Sequence, residues 1–282
     1  MAALIALGAV TMVVPFLDMI LGALRTPVEM VSVPPAFLPR TPQWGNFLKV
    51  ARIIPLGRYY LNSLLVASAV TLLVLFTSLL SGFALAKYRF RGREIIFRGI
   101  LATIMFPQFI FLIPVYYLLK RVPLAGGNDL LGLGGSGLLH SYAALILPFA
   151  VSGFGIFLMR QFIMDVPDDL LDAARIDGCS EFRLLWQIVL PNVRPALATV
   201  AIFSFLAQWN EFVWPMIITT SAREMMTLPV GIQLLRGGIR DLPEVDALIR
   251  AALTLAVIPV MALFVLLQRY YVRGITMMGL KG

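Results

Sequence analysis

Five polar or aromatic residues stand together inside an otherwise apolar stretch late in the chain: Gln208, Trp209, Asn210, Glu211 and Trp214. Gln208 and Glu211 are three residues apart, so in a helix they share one face. Amide and carboxylate groups can hydrogen-bond solute hydroxyls, and an indole ring can cover the apolar face of a sugar. Polar groups inside an apolar span are costly and are usually functional or paired across a helix bundle. The cluster therefore indicates a site for a polar solute, or else a structural pairing of Glu211 with an arginine or a free backbone carbonyl.

Other polar side chains in apolar stretches are weaker candidates for the same role. Gln108, Tyr116 and Tyr117 lie in an earlier apolar run and could extend the solute path. Ser152 and Asn62 are better explained as contacts between helices, because small and polar side chains hold membrane helices together. The phenylalanines and methionines are interpreted as packing against lipid and neighbouring helices.

The residue types needed for metal or nucleotide chemistry are too few. His140 and Cys179 are the sole histidine and cysteine, so we expect neither a disulfide nor a structural metal site. The glycine-rich stretch 120–137 lacks the Gly-Lys-Ser/Thr of a phosphate-binding loop, and that motif occurs nowhere in the chain. We therefore expect no catalytic residue, no cofactor held by this chain and no ATP hydrolysis by it. The stretch 120–137 is predicted to be a flexible external loop.

The longest polar interruption in the second half of the chain is the stretch 168–191. Pro167 precedes it and can start a helix, because its missing N–H is not needed there. Carboxylates in the first turns suit the positive end of the helix dipole. These are Asp168, Asp169 and Asp172. The order of residues therefore predicts a short acidic helix.

The same short helix is amphipathic and has a defined end. Three apolar residues recur at helical spacing and give it one apolar face: Leu170, Leu171 and Ala174. Gly178 can end it in the left-handed conformation. A second helix is predicted from about Ser180 to Leu190, before Pro191.

This stretch resembles the EAA loop of permease subunits in binding-protein-dependent ABC importers. The matching residues are Asp172-Ala173-Ala174, Asp177-Gly178 and Ile188-x-Leu190-Pro191, and the spacing between the last two groups also fits. Two positions depart from the pattern: Asp172 stands where Glu is usual, and Cys179 where Ala is usual.

Further segments, which cover most of the chain from about Leu61 onward, are similar to the carbohydrate branch of these permeases, of the maltose-permease type. They are MFPQFIFLIPVYYLL at 105–119, FLMRQF at 157–162, WNEFVWP at 209–215, TLPVG at 227–231 and the terminal QRYYVRGITMMGLKG. The resemblance implies an all-α polytopic membrane protein that moves a sugar or sugar-like solute by alternating access. It also implies partners: a second permease subunit, with a heterodimer favoured, two ATPase subunits that carry ATP and Mg, and an extracytoplasmic solute-binding protein.

In that family the short helix docks into a cleft on an ATPase subunit. Carried over to this chain, its apolar face would fill the cleft, its charges would pair at the rim, and Gly178 would allow close approach and a sharp turn. The implied ATPase-coupling residues are Asp169, Leu170, Leu171, Asp172, Ala173, Ala174, Arg175, Asp177, Gly178 and Pro191. The alternative is that the helix folds onto the chain's own cytoplasmic helix ends.

Composition places these elements in a membrane. Of 282 residues, 60% are hydrophobic and 13% charged, against about 25% charged in soluble domains. The net charge of +8 is interpreted as basic residues facing anionic lipid head groups, with no nucleic-acid partner. Six runs can cross about 30 Å of hydrocarbon, and the chain is treated as one transmembrane domain, 1–282. The runs are roughly 1–24, 61–86, 95–119, 138–160, 196–220 and 249–271.

Prolines within these runs and the polar segment after the first run complete the predicted topology. Prolines inside the last four runs free backbone carbonyls that neighbours or water must satisfy. They predict kinked helices, either around a cavity or simply kinked for packing. Residues 25–60 are predicted to lie outside, with a surface helix at 46–58. The first run has no basic residue before it, unlike a signal peptide. It is interpreted as the first span, either as it stands or after a trimmed segment.

The orientation follows from one dense basic loop. Residues 87–98 carry five Lys or Arg side chains, which predicts that this short loop is cytoplasmic. With six spans, both termini and the EAA loop at 161–195 are then cytoplasmic too. The expected location is the inner membrane of a bacterium or archaeon.

Two other functional classes stay open. A permease for a glycerol phosphate ester or an amino compound would share the loop, although a phosphate favours a Lys or Arg well inside the spans and none is found. A stand-alone secondary carrier often shows internal repeats and would leave the 168–178 helix unexplained. A membrane scaffold explains neither this helix nor the polar fifth run. The sequence identifies neither the solute nor whether the partner permease is a different chain.

Overall fold

The computed structural model describes residues 1–32, 37–239 and 242–279. Within these ranges every regular element is helical and no strand occurs, which confirms the predicted all-α class. By length and composition, three helices can cross a membrane alone, and up to six spans result if each of three bent helix pairs counts as one. The predicted six spans correspond to the upper of these numbers.

The helices follow one another along the chain. The first half contains α1 (Ala2–Ala23), α2 (Pro27–Val31), α3 (Gly45–Ile53), α4 (Leu56–Lys87), α5 (Arg93–Met105), a 3-10 turn (Gln108–Phe111) and α6 (Leu112–Lys120). The centre contains α7 (Tyr142–Ile146), a 3-10 turn (Leu147–Phe149), α8 (Gly153–Met164), α9 (Asp168–Ile176), α10 (Glu181–Leu184), a π-helical turn (Leu185–Val189) and α11 (Leu190–Asn192). The remainder contains α12 (Arg194–Trp209), α13 (Val213–Thr219), a 3-10 turn (Arg223–Met225), α14 (Leu228–Gly238) and α15 (Val245–Gly279).

Prolines break the third and fourth predicted spans. The α5 segment and the segment from Gln108 to Lys120 meet at 97°. The break follows from Pro107, which disfavours helical backbone at Phe106, where ψ is 128°. The segments Tyr142–Phe149 and Gly153–Met164 meet at 45°. The fifth predicted span breaks between α12 and α13, ahead of Pro215, which lies near the start of α13.

Contacts divide the chain into two compact units, and the first comprises Met1–Ser63 with Arg223–Ala262. Within this unit Asp18 pairs with Arg25 at 2.9 Å and with Arg250. The predicted surface helix at 46–58 is shorter than expected. It is α3, and it ends before Pro55, after which α4 begins.

The second unit comprises Leu64–Ala222 and the chain from Leu263 onward. Here α4 and α8 pack closely, because a Cβ on Gly82 would lie 2.7 Å from the Cβ of Met159, and one on Gly155 would lie 2.3 Å from the hydroxyl of Ser78. Glycine permits this approach of two helices. The second unit carries both candidate sites. The span limits and the single-domain organisation stay predictions.

Candidate functional site

The first candidate site is α9 and the turn that follows it. Pro167 is extended, with ψ 134°, and Asp168 begins the helix with an acidic first turn. Gly178 has φ +79°, the left-handed conformation that glycine adopts without steric cost. The amide of Cys179 then donates to the carbonyl five residues earlier at 2.9 Å. The structure thus contains the short helix that the residue order predicts, ended by Gly178.

The apolar side chains of α9 point in two directions. Leu171 is 1% exposed, whereas Leu170 is 45% and Ile176 is 87% exposed. Ala174 is half-buried and Ala173 is exposed. The prediction that Leu171 fills a partner's cleft is therefore corrected, because a side chain buried in its own chain is not available to another protein. Ile176, which the sequence analysis omitted, is available instead.

The charged residues of α9 are partly paired within the chain. Arg175 binds Asp172 at 2.9 Å and Glu181 at 2.8 Å. Its hydrogen bonds to Glu181 and then Asp172 raise the pKa of Arg175 above its usual range. Asp169 and Asp177 are exposed. Of the three charges predicted at the rim, Asp172 and Arg175 pair with each other, while Asp169 is exposed.

Two residues at the end of α4, missed by the sequence analysis, hold α9 in place. The Lys87 ammonium donates to the carbonyl of Val166 at 2.5 Å and to the carboxylate of Asp168 at 2.7 Å. This hydrogen bond holds the pKa of Asp168 below its usual range. The Tyr88 hydroxyl donates to Glu181 at 2.7 Å. Lys87 had been counted among the basic residues that predict a cytoplasmic loop at 87–98. Tyr88, the next residue, had been assigned no role.

Pro191 follows an irregular helical turn. The segment after α9 passes from α10 into a π-helical turn at Leu185–Val189 and then into α11, which contains Pro191. A proline ring clashes with the carbonyl four residues earlier, and the wider π turn relieves that clash. The helix predicted over about 180–190 is therefore three consecutive helical segments.

The second candidate site is a pair of cavities with shared walls in the second unit. The smaller has a volume of ≈ 240 Å³ and the larger ≈ 560 Å³. The smaller is lined by Gln108, Phe109, Phe111, Leu112, Val115, Pro148, Phe149, Glu211 and Trp214. The larger shares Gln108, Phe111, Pro148 and Phe149, and its further polar lining is Thr103, Ser152, Ser204 and Gln208. Both cavities lie where the helices are broken.

Four of the predicted solute-path residues line these cavities: Gln108, Gln208, Glu211 and Trp214. A Glu211 carboxylate oxygen also accepts a hydrogen bond from the backbone amide of Trp214 at 3.1 Å. Glu211 therefore caps the start of α13 while it faces the smaller cavity. A free backbone carbonyl was one of the partners predicted for Glu211. The structure shows a backbone partner of the other kind, the N–H of Trp214.

The other four predicted residues lie away from the walls of these two cavities. Trp209 is buried and stacks on Phe205, with ring centroids 5.7 Å apart. Asn210 is exposed and donates to the carbonyl four residues earlier at 2.9 Å. Tyr116 and Tyr117 contact each other edge to face at 6.0 Å. Their role in a solute path stays a prediction.

Aromatic residues supply much of the cavity wall, whereas the sequence alone assigned the phenylalanines to packing against lipid and neighbouring helices. Phe109, Phe111 and Phe149 line the smaller cavity because the chain leaves the helix beside Pro107 and Pro148. The available signal was the position of these rings next to prolines. Ser152 had been interpreted as a helix contact. It caps α8 by accepting from the Gly155 amide at 3.1 Å and also lines the larger cavity.

The walls offer amide, hydroxyl and aromatic groups with one carboxylate. The residues that line the two cavities include no lysine, arginine, histidine or cysteine. In the described ranges, no group of three His, Cys, Asp or Glu side chains could hold a metal ion. The walls therefore offer hydrogen-bonding groups and aromatic rings, with no cation to pair with an anionic solute.

Comparison with known proteins identifies the family of the chain. Residues 75–277 match the family described as the binding-protein-dependent transport system inner membrane component. Over 275 residues, the chain is 33% identical to the arabinooligosaccharides transport system permease protein AraQ of Halalkalibacterium halodurans, which covers 96% of this chain and 91% of the relative. Over 275 residues it is 30% identical to the sn-glycerol-3-phosphate transport system permease protein UgpE of Yersinia enterocolitica, with 95% and 92% covered.

A solved structure shows the same fold. A chain from the crystal structure of a bacterial ABC transporter involved in the import of the acidic polysaccharide alginate aligns with a TM-score of 0.79 at 21% identity. The alignment covers 96% of this chain and 94% of that chain. The chain therefore belongs to the family of inner membrane components of binding-protein-dependent transport systems, as a permease subunit of the carbohydrate ABC importer type.

Proposed function

We propose that this chain is the membrane-spanning subunit of an ATP-driven importer for a neutral sugar or oligosaccharide. Two partner ATPase subunits bind ATP and Mg, a second permease subunit completes the path, and an extracytoplasmic binding protein delivers the solute. The α9 helix and both chain ends lie in the cytoplasm. Membership of a family of binding-protein-dependent systems supports this set of partners.

The observation that carries the proposal is the division of α9 into two apolar sides. Leu171 attaches the helix to its own chain, while Ile176 and Leu170 face outward. A helix of nine residues is too short to be stable alone in water. An isoleucine with 87% of its surface exposed is suited to contact a partner, and Leu170, which is 45% exposed, is a second accessible apolar residue. We assign the ATPase contact to Ile176 and Leu170, with Asp169 and Asp177 at the rim.

The cavity walls favour an uncharged solute. A phosphate ester would bring its negative charge beside the carboxylate of Glu211, and the residues lining these two cavities offer it no cation. Burying an unpaired charge is costly. A polyhydroxylated solute can instead bond to Gln108 and Gln208 and contact the phenylalanine rings. A glycerol phosphate ester is the second candidate, because a relative named for that solute is 30% identical.

Transport on this proposal follows alternating access. ATP-driven movement of the ATPases displaces α9, and the helix bundle changes between states open to opposite sides. Solute and nucleotide shift this equilibrium through their differential affinity for the two states. The breaks at 97° and 45° divide the spans into shorter segments that can move separately around the cavities.

Co-purification of ATPase subunits tests the assignment of α9. The chain is isolated gently from its native membrane as wild type, as Ile176→Arg and as the matched control Leu130→Arg, which alters another strongly exposed apolar residue. We expect the ATPase with the wild type and the control but not with Ile176→Arg. Retention of the ATPase by Ile176→Arg would refute the assigned contact, and its absence from a folded wild type would refute the importer.

A further inference from the structure

The last turn of α4 and Tyr88, which follows it, are joined to three other elements by polar contacts. Lys87 reaches the start of α9, and Tyr88 reaches the segment that follows α9. The carbonyl of Leu85 accepts a hydrogen bond from the Arg160 guanidinium of α8 at 3.2 Å. Arg160 also pairs with Glu94 of α5 at 3.0 Å. The end of α4 is therefore linked by polar contacts to α9, to the segment after α9 and to α8.

The contact of Lys87 allows little displacement. Its side chain is 6% exposed, and a buried ammonium is costly unless its hydrogen bonds are satisfied. The carbonyl of Val166 and the carboxylate of Asp168 supply those bonds. If the start of α9 moved alone, the Lys87 ammonium would lose the Val166 carbonyl and the Asp168 carboxylate, of which the carboxylate is 73% exposed, and a donor left without partners is unfavourable. Movement of α9 is therefore tied to movement of α4.

A second connection runs from α4 to the other end of α9. The Tyr88 hydroxyl donates to one oxygen of Glu181, and the Arg175 guanidinium donates to the other at 2.8 Å. The Tyr88 ring is held edge to face against Phe83, at 5.5 Å. Burial raises the pKa of Tyr88 to about 12, so the hydroxyl keeps its proton at neutral pH. Since Arg175 lies in the last turn of α9, the helix is held near both ends.

We propose that Lys87 and Tyr88 are positioning residues that transmit the displacement of α9 to α4 and so to the cavity wall. Val70 and Val74 of the same helix line the larger cavity, so α4 physically connects the two sites. This inference rests on the proposed function, because α9 is displaced only if an ATPase docks on it. Neither residue needs to touch the ATPase or the solute.

The test measures whether nucleotide changes the cavity. The complete importer is reconstituted with Cys179→Ser and Ser204→Cys, which places one thiol in the larger cavity. The rate of maleimide labelling is compared at rest and after trapping with Mg-ATP and vanadate. Trapping should change the labelling rate of the wild type. We expect this change in rate to be about tenfold smaller in Lys87→Met/Tyr88→Phe, while the ATPase still co-purifies. Arg91→Gln, an exposed basic residue near the end of α4, is the matched control and keeps the full change.

Two further variants test the Tyr88 hydroxyl and the ion pair of Lys87 separately. Tyr88→Phe retains the ring and removes the hydroxyl alone, and we expect it to diminish the change. The exchange Lys87→Asp/Asp168→Lys restores the ion pair in reverse, and we expect it to recover part of the change lost in Lys87→Asp. A full labelling change in both Lys87→Met/Tyr88→Phe and Tyr88→Phe would overturn the inference. A folded wild type without co-purifying ATPase would instead overturn the proposed function.

Discussion

The indole nitrogen of Trp214 donates a hydrogen bond to the backbone carbonyl of Ala144 at 2.9 Å. The residue four positions after Ala144 is Pro148, which has no N–H to donate to that carbonyl. Trp214 thus satisfies, from α13, an acceptor that a proline frees in α7. In a membrane-spanning region an unsatisfied carbonyl is costly because lipid offers no donor. The bond joins two broken spans beside the smaller cavity.

Trp214→Phe should destabilise the chain because it removes this donor. We expect a loss of about 1–3 kcal/mol, the cost of leaving a buried acceptor unpaired, seen as a lower midpoint of thermal unfolding in detergent. Trp44→Phe is the control, since Trp44 is exposed. Equal midpoints for Trp214→Phe and the wild type would contradict the structural role of this bond.

Gly82→Ala should also destabilise the chain, because the new Cβ would lie 2.7 Å from the Cβ of Met159 and 3.0 Å from a backbone nitrogen. Overpacking of this kind costs about 1–3 kcal/mol. Gly99→Ala is the matched control: Gly99 is also inside a helix, but nothing lies within 4 Å of its added Cβ. There the better helix propensity of alanine should stabilise by up to about 1 kcal/mol. Unfolding midpoints that shift in the same direction for both variants would show that α4 and α8 do not pack as described.

Gln108→Ala should lower solute uptake, because Gln108 lines both cavities. Loss of one or two hydrogen bonds, at about 1 kcal/mol each, corresponds to a fall of roughly five- to thirtyfold at limiting solute. The measurement is uptake by cells of a labelled neutral oligosaccharide that the wild type transports, with complex levels checked by immunoblot. Leu118→Ala, at an exposed position of α6, serves as the control. Wild-type uptake in Gln108→Ala, or strong competition by glycerol phosphate, would count against the neutral-solute cavity.

The contact between Lys87 and Asp168 should persist into acid. Lys87 holds the pKa of Asp168 below the ordinary value of 3.8. The stability contributed by this carboxylate is therefore fully present above that value and is lost as pH falls through the lower folded-state pKa. Unfolding midpoints of the wild type and Asp168→Asn, measured across a pH series, should differ by a constant amount down to about pH 5 and converge in stronger acid. Convergence that begins near neutral pH would contradict the pairing.

Composition, proline positions and cap residues predicted much of the fold. The aspartates after Pro167 and the glycine at 178 were enough to define α9, because helix ends depend on local residues. A kink in the fifth span was predicted from Pro215, but the break lies ahead of that proline, between α12 and α13, where Glu211 accepts a hydrogen bond from the Trp214 amide. The π turn before Pro191 was missed for a similar reason. Periodicity does not show how a helix accommodates a proline.

The candidate sites were predicted less completely. Helical spacing placed Leu170 and Leu171 on one apolar face, but it could not show that Leu171 is buried by its own chain while Ile176 is exposed. Gln108 and Gln208 lie a hundred residues apart, and no local pattern shows that their side chains line the same cavity. The link from Lys87 to Asp168 spans 81 residues. Such pairs are defined by tertiary packing.

The central claim is that ATP drives solute through this chain by way of α9. The most direct measurement is accumulation, in proteoliposomes that hold the complete importer, of a labelled neutral oligosaccharide that binds the partner solute-binding protein, with and without ATP on the ATPase side, for wild type and Ile176→Arg. We expect uptake that requires ATP, is lost in Ile176→Arg and is unaffected by Leu130→Arg. Uptake that proceeds without ATP under an ion gradient, and equally well in Ile176→Arg, would contradict the account and favour a stand-alone carrier.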